Sequence, residues 1–104
     1  MAVKDRGTQL ININNPGARI HIDTSSMDYL TVTVPAYMLL GDAVLELKRT
    51  AQEVAYSTAK TIDSSTPVII AAEVKSLDQA VLVLTTKDDE ERDVRVDWFG
   101  EEES

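Results

Sequence analysis

Apolar and polar residues alternate with a period of two in several stretches of this chain, and that pattern commits much of it to β-sheet. From Thr8 to Asn14, Ile11 and Ile13 fall on one face, with Leu10, Asn12 and Asn14 on the other. Asn14-Asn15-Pro16-Gly17 follows, a Pro with fixed φ and then a Gly that tolerates positive φ, which suits a type II turn. Ala18 to Thr24 alternates again, with Ile20 and Ile22 on one face and Arg19, His21 and Asp23 opposite. The two stretches read as a hairpin. After a polar connection, Tyr29 to Val34 puts Leu30, Val32 and Val34 on one side and Thr31 and Thr33 on the other, so the first three strands are expected to form a meander.

Pro35 has no N–H to donate and cannot sit in a central strand, which suggests a change of element. Between Gly41 and Ile62, Val44, Leu47, Ala51, Val54, Thr58 and Ile62 recur at helical spacing. The spacing predicts an amphipathic helix over about 42–62, with Asp42 as N-cap and Asp63-Ser64-Ser65-Thr66-Pro67 ending it. Val68 to Val74 and Ala80 to Thr86 are aliphatic with little alternation and read as central strands buried on both faces. Arg92 to Phe99 alternates, with Val94, Val96 and Trp98 inward and Asp93, Arg95 and Asp97 outward. The expected fold is α+β and β-rich, in the order β-β-β-α-β-β-β: a twisted sheet or small open barrel packed on one helix. Nothing marks an internal linker, so residues 1–104 read as one domain, with an acidic tail at 100–104.

The absence of Cys removes disulfide frameworks, thiolate metal sites and cysteine nucleophiles. The opening residues lack the apolar stretch of a signal peptide, and apolar runs such as Ala36 to Leu40 are far shorter than the roughly 20 residues that span a bilayer. A soluble, intracellular or virion location is expected. With 18 acidic against 10 basic side chains, a net charge of −8, direct binding to a phosphate backbone is not expected. The charge is uneven. Residues 87–104 hold nine acids and three bases, a net of −6, and the other 86 residues hold nine acids and seven bases, a net of only −2.

His21, the single His, shares a face with Asp23 and precedes Ser25 and Ser26, but all lie within one strand and its turn, which reads as a solvated face. Asp88, Asp89, Glu90 and Glu91 offer hard-cation oxygens without the spacing of a cation loop, and read as a charged hairpin tip. Glycines at 7, 17, 41 and 100 make no phosphate-cradling motif. No catalytic, cofactor or metal residues are therefore assigned.

If Trp98 points inward with Val94 and Val96, Phe99 points outward and is a candidate contact for a partner; if the strand ends by Trp98, both rings fold over the edge of the sheet. The candidate interaction residues are Trp98, Phe99, Asp88, Asp89, Glu90 and Glu91. The expected function is that of a non-enzymatic assembly subunit, a homo-oligomer or the neighbour of other chains, of the kind found in virions and phage heads or tails. The alternative is an acidic regulatory inhibitor that mimics DNA or blocks a basic site on a target.

Overall fold

A computed structural model describes residues 2–15, 17–35, 38, 41–49, 60–75 and 77–103. The strands are β1 (Ala2–Asn12), β2 (Arg19–Asp23), β3 (Tyr29–Thr33), β4 (Val44–Lys48), β5 (Thr61–Ile62), β6 (Val68–Glu73), β7 (Gln79–Thr86) and β8 (Asp93–Glu102). They form two four-stranded antiparallel sheets, β1-β8-β3-β6 and β2-β7-β4-β5. Pairing runs β1 with β8, β2 with β7, β3 with β6 and β4 with β5. That nesting describes one long antiparallel ribbon doubled back at β4 and β5. Rolling the ribbon brings β8 against β3 and β7 against β4, which closes the eight strands of the described residues into a jelly-roll sandwich.

Rolling explains why the first three strands are not a meander. The expected turn does form: Gly17 has φ of 82°, and the Ala18 N–H donates to the Asn15 carbonyl at 3.0 Å. Pro16 lies outside the described residues. The turn carries the chain from one sheet to the other, so β1 and β2 face each other across the core and each takes its hydrogen bonds from the C-terminal half of the chain. A local pattern identifies strands and turns, but not which sheet a strand joins.

The expected helix over 42–62 is absent, because β4 and β5 occupy its two ends and no helix forms among the described residues; positions 50–59 lie outside them. The helical stripe passed over Leu45. In the structure Ala43, Leu45 and Leu47 form a period-two row that is fully buried, with Leu45 opposite Leu84 and Leu47 opposite Leu82. Packing against β7 outweighs helical propensity, which differs by only a few tenths of a kcal/mol for such residues.

The core lies between the sheets and is aliphatic, with Ile11, Ile13, Ile20, Ile22, Leu30, Val32, Val94 and Val96 among the buried side chains. Strand β7 is buried on both faces from Ala80 to Leu84, as expected of a central strand. Strand β6, expected to be central too, is an edge.

Candidate interaction edges

Each sheet has two edge strands, and the two sheets treat them differently. The edges of the second sheet are blunted. Strand β2 alternates exposed Arg19, His21 and Asp23 with buried Ile20 and Ile22, and β5 is two residues long; charge and shortness both discourage pairing with another chain. The edges of the first sheet are β1 and β6, which are longer. Among the described residues the large hydrophobic side chains left exposed are Leu10, 60% exposed, and Ile70, 71% exposed. One stands on each of these edges.

Strand β6 departs from regular geometry at that point. Val32 faces Ile69 and Leu30 faces Ala72, so Ile70 and Ala71 together oppose Thr31 in a β-bulge. Ala71 has φ of 53°, a left-handed conformation that L residues avoid. The bulge interrupts the edge ladder and turns Ile70 into solvent. Strand β1 has its own register shift between Val3 and Asp5, beyond which it runs regularly from Asp5 to Asn12.

Strand register sorts the side chains beside β1 into two faces. Gly7, Trp98, Val32 and Ile69 form one row, and Trp98 packs on the core from it. Arg6, Phe99 and Thr31 form the next row on the opposite, outer face, followed by Thr8, Asp97, Thr33 and Val68. Trp98 therefore points inward and Phe99 outward, each half-buried. Between them lies a surface groove of about 480 Å³ lined by Arg6, Gly7, Thr8, Thr33, Asp97, Trp98 and Phe99.

Two charges border the groove, and only one is matched. Asp97 accepts from the Thr8 hydroxyl at 2.7 Å and from Arg95 Nε at 3.1 Å. The Arg6 guanidinium makes no hydrogen bond or ion pair within the described residues; only its backbone N–H is engaged, by Asp5. On the other edge Glu73 is exposed and likewise unpaired within the described residues.

The acidic turn at 88–91 and the acidic tail at 101–103 lie at opposite ends of β8, about 30 Å apart at the usual rise per residue. At the first end Asp89, Glu90 and Glu91 are exposed, but Asp88 is buried. Its carboxylate accepts from the Glu90 N–H at 3.1 Å and from Arg92 Nη2 at 2.7 Å, and lies so close to Gly41 that a Cβ there would collide. Its own N–H donates to Ile13, and its carbonyl accepts from Asn14 Nδ2. The bond from Glu90 and then the Arg92 guanidinium hold the Asp88 carboxyl below its usual range. This residue closes the turn onto the first loop. At the other end Glu101 and Glu102 belong to β8, so the acidic tail begins as strand. Glu103 pairs with Lys75, which also sits 5.2 Å from the Tyr29 ring centroid, and its N–H donates to Asp28 Oδ2 at 2.8 Å. The pairing lowers the Glu103 pKa and raises that of Lys75.

His21, Asp23 and Ser25 line one shallow pocket but form no relay. The Ser25 hydroxyl donates to Asp23 at 2.7 Å and His21 Nδ1 lies 3.3 Å from Gln79, so the hydroxyl is turned away from the imidazole. Among the described residues no group of three or more His, Asp or Glu side chains converges as a metal site, and no helix is long and apolar enough to cross a membrane.

Sequence reasoning placed Trp98 inward and Phe99 and Leu10 outward, but did not single out Arg6, Ile70 or Glu73. The run Val68 to Ala72 has no alternation that would mark Ile70 as outward, and no Gly announces the bulge. No protein-family model matches the chain, and neither the curated proteins nor the solved structures contain a match to it.

Proposed function

We propose that this protein is a non-enzymatic assembly subunit that works through contacts with other protein chains, first of all with copies of itself. One observation carries the reading: among the described residues the exposed large apolar side chains, Leu10 and Ile70, stand on the two edges of one sheet, while the edges of the other sheet expose none. A large apolar side chain exposed on an edge strand favours pairing with another chain, and natural proteins protect the edges they do not use. Eight-stranded rolls also serve as building blocks of virus particles, so a virion or phage component is the setting this reading favours, by analogy of architecture alone.

Sedimentation velocity over a concentration series, up to about 1 mM, tests the reading. Reversible association that weakens in Leu10→Lys and Ile70→Lys, with unchanged melting temperature, is the expected result. A monomer throughout the series would overturn it. The alternative, an acidic inhibitor, has less support, since the acidic turn and the acidic tail lie at opposite ends of β8 and Asp88 and Glu103 are engaged within the chain.

A further inference from the structure

The geometry points to a specific self-contact, in which β1 of one copy pairs with β6 of the next and extends the first sheet from subunit to subunit. This inference rests on the assembly reading above and names its partner and register. Within the sheet each neighbouring pair is antiparallel, so β1 and β6 at the two edges run in opposite directions. A second copy placed beside the first in the same orientation therefore brings its β6 antiparallel to β1, with the outer faces continuous. Directly opposed residues must then share a face.

One register matches both charge and apolar surface. It sets Arg6 opposite Glu73 of the next copy, two outer-face residues whose charges are otherwise unmatched within the described residues. Gly7 then meets Ala72, Thr8 meets the bulge at Ile70 and Ala71, Gln9 meets Ile69, and Leu10 meets Val68. Ile70 is placed beside Thr8 at the rim of the groove that Phe99 lines, and Leu10 is covered by Val68. Leu10, Ile70, Arg6 and Glu73 are thus all satisfied by a single contact. A shift of one residue would set outer-face side chains against inner-face ones along the whole pairing. Because the two surfaces differ, the contact is heterologous; it leaves a free β1 and a free β6 at the ends of every oligomer and builds rings or open filaments rather than closed dimers. The bulge at Ile70 and Ala71 breaks the ladder, which keeps the pairing short and reversible.

Charge reversal tests the register. Arg6→Glu alone and Glu73→Arg alone each place like charges opposite one another at every contact, and each should weaken self-association about tenfold or more in sedimentation velocity. An equimolar mixture of the two variants restores opposite charges at every contact, in an alternating chain. The mixture, and the double variant Arg6→Glu/Glu73→Arg, should recover the wild-type concentration dependence. Both positions are exposed, so melting temperatures should be unchanged. Wild-type association that the reversals leave unaffected, that the mixture fails to restore, or that stops at dimers would overturn the register while the assembly reading stands. A wild-type chain that stays monomeric overturns both.

Discussion

The indole of Trp98 lies over Gly7 on the neighbouring strand so closely that a Cβ added to Gly7 would run into its ring carbons. The contact crosses the β1–β8 pair and anchors the edge strand at the groove. Gly7→Ala must displace a half-buried ring, and overpacking of this kind costs about 1–3 kcal/mol. Urea unfolding followed by the fluorescence of Trp98, the single tryptophan, should show the loss, with a native emission shifted to longer wavelength as the ring leaves the core.

Removing Asp88 should destabilise the fold although it belongs to an acidic turn. Asp88→Ala leaves the Glu90 N–H and the Arg92 guanidinium without their acceptor, at a cost of about 1–3 kcal/mol in chemical denaturation. Asp89→Ala, at an exposed neighbour, should stay within about 0.5 kcal/mol of wild type.

Acid should unfold the protein through a small set of carboxylates. Hydrogen bonds from Ser25 lower the Asp23 pKa and bonds from Ser65 and Thr66 lower that of Asp63; Asp88 and Glu103 are lowered as well. In the unfolded chain these groups titrate near pH 4, so their contribution is fully present above that pH. As pH falls through the lower folded values the unfolded state binds more protons and stability is lost. Urea midpoints should be flat from about pH 7 to pH 5 and decline below pH 4, less steeply in Asp88→Asn.

The jelly-roll assignment makes Leu45 a core residue, where a helix over 42–62 would have left it off the apolar stripe. Leu45→Ala should cost about 2–5 kcal/mol, because the side chain is fully buried. Glu46→Ala, between two buried leucines but facing outward, should change stability by less than about 1 kcal/mol. Comparable losses at the two positions would contradict the strand.

How much of this was legible follows from the range of each signal. Alternation is local, and it located β2, β3, most of β8 and the inward face of Val94, Val96 and Trp98. Pairing in a rolled ribbon joins residues from opposite ends of the chain, such as Ile11 and Val94, and no neighbouring residue records that choice. Ala43-Val44-Leu45-Glu46-Leu47 fits both a helical stripe and a strand, and only the presence of Leu82 and Leu84 opposite decides between them. At the candidate edges Phe99 was visible as the residue after an inward Trp98. Arg6 and Glu73 were not, since their pairing becomes apparent only once β1 and β6 are known to bound one sheet.

Cross-linking tests the account most directly. The chain has no cysteine of its own, so a Leu10→Cys/Val68→Cys variant carries its only two thiols on opposite edges of one sheet. Three strand spacings, about 14 Å, separate them within a subunit, too far for a disulfide. In the β1–β6 contact they are directly opposed, within disulfide range. Oxidation should give a ladder of dimers, trimers and higher species on a non-reducing gel, lost on reduction and absent from either single variant under the same conditions. A product confined to monomers, or to dimers that the Leu10→Cys variant forms equally well alone, would contradict edge-to-edge assembly.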